Sequence, residues 1–414
     1  MPEESIIASR ADALAVDATD PLGFLRARFT MPDDVIYLDG NSLGAMPNGV
    51  PEAVADTVQR QWGQDLIRSW NANGWWTLPG RLGDRIGTLV GAAPGQVMCG
   101  DSTSVQLFQA VVALARLAPA RGTIITDGGN FPTDQYIAES AARLLGLQIL
   151  RVSPPDLHLV LGPDTAVVAF SAVDYRTGEL WDSASITADV HAAGAMMLWD
   201  LAHAAGAVPF TLDAVGADAA VGCTYKYLNG GPGAPAWIYL AARHQSAADL
   251  PLTGWHGHAD PFALSPSYLP AQGIEQARIG TPAILAMRSL DAALDVFDGV
   301  DLADVRAKSL ALTDLVIGYA DVALPGVQVV TPREHHRRGS QVALRMAHAF
   351  EVTQALIARG VIGDFRSPDL LRLGFAAPYL TYTQVWDAMD ALQAVLASGE
   401  WQDPRFARAT DAVT

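Results

Sequence analysis

The sequence predicts an α/β fold: a mostly parallel central sheet with helices on both faces, joined to a smaller α+β C-terminal domain. Three observations predict it. Between about residues 100 and 240, short β-branched or apolar runs alternate with segments of helical length and pattern. One run, 166–173, is apolar almost throughout, as a strand buried on both faces must be. After about residue 290 the pattern turns helix-rich, which separates a second domain from the first.

Residues 1–30 read as helical and acidic, and 35–38 as a short strand. The turn-rich run Asp39-Gly40-Asn41-Ser42-Leu43-Gly44 follows, and helix signals extend over 50–67. A helix is predicted over 102–116, with Asp101 or Ser102 near its N-cap. The β-branched run 123–126 is a strand, 134–145 a helix ended by Gly146, and 147–152 the next strand. A helix over 186–193 leads to an apolar strand, 195–199, that ends at Asp200; 219–223 and 236–240 are further strands. Beyond residue 290, helices over 301–320 and 349–359 flank a β-like stretch at 327–331. The predicted division is an N-terminal segment (1–45) packing on the small domain, a large domain (46–290) and a small C-terminal domain (291–414).

Composition limits the function. Of 414 residues, 50% are hydrophobic and 17% charged, the profile of a globular enzyme. A formal net charge of −17 repels phosphate backbones and argues against a nucleic-acid partner, though a local pocket can still take a small anion. The two cysteines, Cys99 and Cys223, form no CxxC pair, which argues against a zinc site or a disulfide framework and for a reduced, cytoplasmic setting. Glu3, Glu4, Arg10 and Asp12 interrupt the N-terminus, unlike a signal peptide, and no apolar run reaches the roughly 18 residues that span a bilayer.

The segment 198–233 carries the chemistry. Asp200 ends an apolar strand, His203 follows three residues later, then Thr224-Tyr225-Lys226-Tyr227 and a loop with Gly230, Gly231 and Gly233. Ligands gather at the C-terminal ends of strands in parallel sheets. A buried acid there can pair with a protonated ring nitrogen, and a nearby lysine can form a Schiff base; pyridoxal phosphate needs both. Asp200 and Lys226 fit the two roles. Taken singly, Asp200 reads equally as a helix cap, Lys226 as a surface charge, His203 as a structural histidine and the glycines as a turn. Their order behind one buried strand is what favours a cofactor site.

These residues also carry a resemblance. Trp199-Asp200-Leu201-Ala202-His203-Ala204-Ala205-Gly206 with Tyr225-Lys226-Tyr227-Leu228-Asn229 resembles the cofactor core of kynureninase, a pyridoxal-phosphate enzyme of the aminotransferase-like fold type I. So do Tyr37-Leu38-Asp39-Gly40-Asn41-Ser42-Leu43-Gly44, Asn130-Phe131-Pro132-Thr133-Asp134, Gly254-Trp255-His256-Gly257-His258, Gly280-Thr281-Pro282, Arg338-Gly339-Ser340 and Arg372-Leu373-Gly374-Phe375, across nearly the whole chain.

The resemblance implies Lys226 as the Schiff-base lysine, Asp200 as the ring-nitrogen partner and Phe131 stacked on the ring, where the alternative is a core phenylalanine. Asp134 either caps a helix or contacts the cofactor. Thr103 and Ser104, at a helix N-terminus, cap it or hold the phosphate. Ser171 lies near the cofactor and His203 beside Asp200; Tyr225 bonds the phosphate and relays a proton. Trp255 and Thr281 reach the phosphate from the partner of a homodimer; on their own they read as an interface aromatic and a turn. Arg372 grips the substrate carboxylate, and Trp75 either lines the aryl pocket or packs. At His256 the family commonly has another aromatic.

The implied reaction is hydrolysis of L-kynurenine or its 3-hydroxy form, through a ketimine of the cofactor and Cβ–Cγ cleavage, to anthranilate (or its 3-hydroxy form) and L-alanine. That places the chain in tryptophan degradation by the kynurenine pathway, toward NAD biosynthesis. The alternatives are a cysteine desulfurase-like β-lyase, for which Cys223 is poorly placed three residues before Lys226, an aminotransferase, and a non-catalytic module, which predicts loss of Lys226 or Asp200.

Overall fold

The computed structural model describes residues 7–407. The chain forms two compact units: Gly49–Asp174 with Trp181–Asp295, and Met1–Asn48 with Tyr175–Leu180 and Val296–Thr414.

The larger unit is built on a seven-stranded sheet. Its strands are β1 (Val97–Cys99), β2 (Thr123–Asp127), β3 (Gln148–Val152), β4 (Thr165–Ser171), β5 (Met196–Asp200), β6 (Ala219–Gly222) and β7 (Trp237–Leu240). They lie in the order β1-β7-β6-β5-β4-β2-β3, and β2 to β6 run parallel. Only β7 runs the other way, pairing antiparallel with β6 and β1. The central strands β4, β5 and β6 are almost wholly buried, which is why they read as continuous apolar runs.

Helices α1 (Leu78–Val90), α2 (Thr103–Leu117), α3 (Pro132–Leu145), α4 (Ser183–Ala192) and α5 (Ile284–Leu294) belong to this unit. The α2 helix sets Leu107, Ala110, Val111 and Leu114 in one core with Ile124, Val167, Leu198, Val221 and Ile238. Ser102 caps α2, its Oγ accepting from the Val105 amide at 3.4 Å, and Gly146 closes α3 in the left-handed conformation (φ 71°).

The helix predicted over 50–67 differs from expectation. It is α-helical only over Gly49–Asp56, then π-helical over Thr57–Asp65 and 3-10 over Leu66–Arg68. Leu66 turns to a φ of 54°, a costly conformation for a branched side chain. A network of Arg60 with Asp56, Asp65 and Asn73, and of Gln61 with Asp56 and Trp75, holds the wider turn.

The smaller unit holds a four-stranded antiparallel sheet of β8 (Gln328–Val329), β9 (Gln341–Arg345), β10 (Asp364–Arg366) and β11 (Leu370–Gly374), in the order β10-β11-β9-β8. Its helices α6 (Leu302–Ala323), α7 (Ala349–Ala358) and α8 (Tyr382–Ser398) confirm the helix-rich pattern. The sheet was largely illegible because β10 and β11 place charged residues inside short strands. The strand Ile36–Tyr37 pairs parallel with Val361–Ile362. The N-terminal helix covers only Arg10–Asp17, followed by a 3-10 turn at Gly23–Arg28; residues 1–6 of the predicted helical stretch lie outside the described residues. Among the described residues no helix is long and apolar enough to cross a membrane.

Candidate active site

The site sits where the parallel strands of the larger unit end. Asp200 is the last residue of β5, registered beside Ser171 at the end of β4. The chain then turns through 201–206, and Gly206 makes the return possible at a φ of 85°. A Cβ there would lie 2.9 Å from the Leu228 side chain and 3.1 Å from the Tyr227 carbonyl. Only glycine lets the His203 turn pack on the segment that carries Lys226.

The result is a hydrogen bond between Lys226 Nζ and His203 Nε2 at 3.0 Å. Lys226 Nζ also lies 5.8 Å from the centre of the Tyr225 ring. The Tyr225 phenol bonds to the Cys223 thiol, and burial, then Cys223, raises it far above its ordinary value. It therefore stays protonated at neutral pH.

Asp200 is 6% exposed. Its Oδ1 accepts from the Ala202 amide at 2.8 Å and its Oδ2 from Ser171 Oγ at 3.2 Å. Burial pushes its carboxyl up, opposed by Lys226, the Ala202 amide, Ser171 and Asp134. Asp134 lies against it. Burial, then the charge of Asp200, pushes Asp134 well above the usual carboxylate range. Burial and their mutual charge thus disfavour ionising both carboxyls of the pair at once.

Asp134 is the third residue of α3, and its Oδ2 accepts from Asn130 Nδ2 at 3.0 Å. This helix start has no side-chain cap hydrogen bond, and Asp134 faces Asp200, a contact that neither predicted role included. Phe131 occupies the N-cap position of α3 and is 45% exposed, so a core role is ruled out. Thr103 and Ser104 are the first two residues of α2, where backbone amides have no intrahelical acceptor. All these residues belong to one unit.

Trp255 and Thr281 belong to it too but stand apart. Both are exposed, and among the described residues no hydrogen bond or ring contact of either reaches Lys226, His203 or Asp200. Trp255 stacks on His256 at 5.2 Å, and Trp76 packs on His256 at 4.5 Å. His256 Nε2 faces Arg278 Nη1 at 3.4 Å; burial, then Arg278, lowers this imidazole to about 4, so it is a neutral ring. Trp75 instead donates to Gln61 Oε1 at 2.7 Å and lines an apolar pocket with Thr57, Trp62 and Ile284. Trp76 packs directly on Trp255 at 5.8 Å, whereas Trp75 reaches this cluster only through Trp70.

Arg372 lies in the smaller unit, at the centre of β11 and only 1% exposed. It pairs with Asp364 across the strands, and Ser42 and the Tyr175 carbonyl complete its partners. Asn130, the Ala202 amide and Asp364 have no role assigned from the sequence. The i, i+4 spacing of Asn130 and Asp134 on a helix start is a usable signal for the first; the other two depend on tertiary contact alone.

A planar cofactor with a cationic ring, an aldehyde and a phosphate fits this donor set: a buried anion at Asp200, an amine at Lys226, a half-exposed aromatic at Phe131 and a hydroxyl-flanked helix start at Thr103. The fold is shared with solved pyridoxal-phosphate enzymes. The cysteine desulfurase CsdA of Escherichia coli superimposes with a TM-score of 0.79 at 18% identity, over 91% of this chain and 98% of that one. A C-DES mutant with glycine covalently linked to the PLP cofactor gives 0.80 at 16% identity, over 89% and 98%. The fold is that of pyridoxal-phosphate enzymes of fold type I.

The sequence comparisons go further. The Kynureninase C-terminal domain model matches residues 305–392. A kynureninase of Burkholderia pseudomallei (strain 1106a) is 48% identical over 408 residues, 96% of this chain and 98% of its own. One of Pseudomonas fluorescens is 46% identical over 407 residues, with the same coverage. The chain belongs to the kynureninase family.

Proposed function

We propose that the chain hydrolyses L-kynurenine to anthranilate and L-alanine with pyridoxal phosphate, and that the residues gathered at the strand ends do the work. The observation that carries this reading is the buried Asp200–Asp134 pair beside the Lys226–His203 pair, in a chain 48% identical to a kynureninase over 96% of its length. Pyridoxal phosphate supplies the electron sink that lets a carbon–carbon bond break.

The chain's own groups then divide the labour. Lys226 Nζ binds the cofactor aldehyde and afterwards moves the proton at the substrate Cα. The Asp200 carboxylate holds the proton on the ring nitrogen, and Ser171 and the Ala202 amide orient it. Phe131 covers one ring face. Thr103, Ser104 and the Tyr225 phenol bind the phosphate, and Tyr225 can hand on a proton because it keeps its own. His203 orients the Lys226 amine. Arg372 takes the substrate carboxylate, and Trp75 bounds the apolar pocket offered to an aryl ring. A desulfurase reading finds no support: both Cys99 and Cys223 are buried, and burial raises their thiols.

The same reading makes the enzyme a homodimer. Phe262 (74%), Leu264 (86%) and Leu269 (61%), close together in sequence, are exposed apolar side chains on the larger unit. A second copy covers them and brings Trp255 and Thr281 to the neighbouring phosphate. The buried cysteines, neither in a disulfide, suit a reduced, cytoplasmic setting.

The direct test mixes purified protein, saturated with pyridoxal phosphate, with L-kynurenine and follows anthranilate fluorescence. Stoichiometric anthranilate and alanine support the reading; glutamate from a keto acid, with no anthranilate, overturns it. Light scattering checks assembly: twice the chain mass of 43.8 kDa is expected, and a monomer with full activity would rule out shared sites.

A further inference from the structure

The Arg372 guanidinium has two hydrogen-bonding edges, and the structure treats them differently. The side edge, Nε with one proton of Nη2, is bound by the carboxylate of Asp364: Nε donates to Oδ1 at 2.8 Å and Nη2 to Oδ2. Asp364 sits directly opposite Arg372 in the β10–β11 register, so strand pairing fixes this contact. The end edge, Nη1 with the other proton of Nη2, meets only neutral acceptors. Nη1 donates to the Tyr175 carbonyl at 2.5 Å and Nη2 to Ser42 Oγ at 2.9 Å. Four of the five guanidinium protons are thus placed, two on an anion and two on groups without charge.

Asp364 is itself saturated. Besides Arg372 it accepts from Arg366 Nη2 at 2.6 Å and from Ser42 Oγ at 2.9 Å. Its side chain is 4% exposed, and that of Arg372 1%. The Asp364 carboxylate therefore cannot swing round to the end edge without abandoning three donors. The bonds to Asp364 carry a charge–charge attraction that those to the Tyr175 carbonyl and the Ser42 hydroxyl lack, so an incoming carboxylate displaces the two neutral oxygens but not Asp364.

We propose that Asp364 is a positioning residue of this enzyme: it clamps the side edge of Arg372 so that the end edge stays presented to the substrate's carboxylate, with Ser42 and the Tyr175 carbonyl as exchangeable placeholders. The proposal rests on the reading of Arg372 as the carboxylate grip. An unclamped arginine side chain samples many rotamers, and each binding event would have to order it again.

Steady-state kinetics on the pyridoxal-phosphate holoenzyme test it with L-kynurenine. Asp364→Asn is expected to raise KM at least about fivefold, the order of one lost charge-assisted bond, while kcat and the visible absorption of the bound cofactor stay within about twofold. Asp364→Glu keeps the charge but displaces it by one methylene, and is expected to raise KM by less than Asp364→Asn. If Asp364→Asn does not fold, Asp364→Glu decides alone: a raised KM with unchanged kcat supports the clamp, and an unchanged KM overturns it. An unchanged KM in a folded Asp364→Asn overturns it as well, as does a fall in kcat with no change in KM. Arg372→Ala separates the two readings. If it leaves KM unchanged, the grip itself is wrong; if it raises KM while Asp364→Asn does not, only the clamp fails.

Discussion

Two buried aspartates stand at opposite ends of the same sheet, and they are opposite in character. Asp218, just before β6 and 2% exposed, accepts from the Met197 amide (2.6 Å), His191 (2.8 Å), Arg243 (2.6 Å) and His244 (2.6 Å). Burial would raise its carboxyl, but those four donors outweigh it and hold it at about 2. Asp200, at the C-terminal end of β5 and 6% exposed, has the Ala202 amide, Ser171 and Asp134, and its carboxyl is pushed up. Equal burial with unequal compensation separates a strut from a working group. The anion at Asp218 is fully used by the protein. The Asp200 carboxyl is under-compensated, and under the proposed function a cationic ring against it would complete the set.

The sharpest way to break this contrast is to neutralise each carboxylate in turn. Asp200→Asn is expected to cost roughly 100- to 1,000-fold in kcat, the order seen when one preorganised electrostatic partner is removed. The cofactor-free variant is expected to be no less stable than the parent, because ionised Asp200 is a burden until the ring nitrogen arrives. Stopped-flow and urea unfolding check the two halves. Equal loss of activity and stability in Asp200→Asn would erase the distinction.

Asp218→Asn is the mirror. It is expected to lose about 1–3 kcal/mol of stability, since it weakens the bonds to the buried Met197 amide and to His244, while kcat per folded molecule changes by less than about twofold. The sign with pH also differs between the two ends. A depressed carboxyl contributes stability above its ordinary value of 3.8 and loses it as pH falls through about 2, so the parent should weaken across that window and Asp218→Asn should weaken less. Raised carboxyls at Asp200 and Asp134 do the reverse: their contribution is present in acid and is lost as pH rises. Acid titration of unfolding free energy in both variants measures the difference.

Much of this was legible in the residues. The strand 195–199 ending at Asp200 is apolar because both its faces are covered, and that periodicity announces the strand end where Lys226 and His203 meet. The helix start at Ser102 and the helix end at Gly146 were visible from capping chemistry, which is local, whereas α3 begins at Pro132, two residues before the predicted start. What the residues hid is tertiary. Nothing in the spacing of Asp134 and Asp200 foretells that they face each other. The π-helical turn at Thr57–Asp65 is held by side chains that a helical period cannot anticipate. Arg372 and Asp364 read as scattered charges until strand register sets them face to face. Trp75 and Trp76 are neighbours in sequence, yet one bonds to Gln61 and the other packs on His256.

The central claim is that Asp200 keeps an anion for the cofactor's ring nitrogen. Nitrogen-15 NMR of the holoenzyme, loaded with pyridoxal phosphate labelled at that nitrogen, reads it directly. A protonated ring nitrogen at neutral and mildly alkaline pH, lost in Asp200→Asn, is the result expected; an unprotonated nitrogen in the parent enzyme would contradict the account.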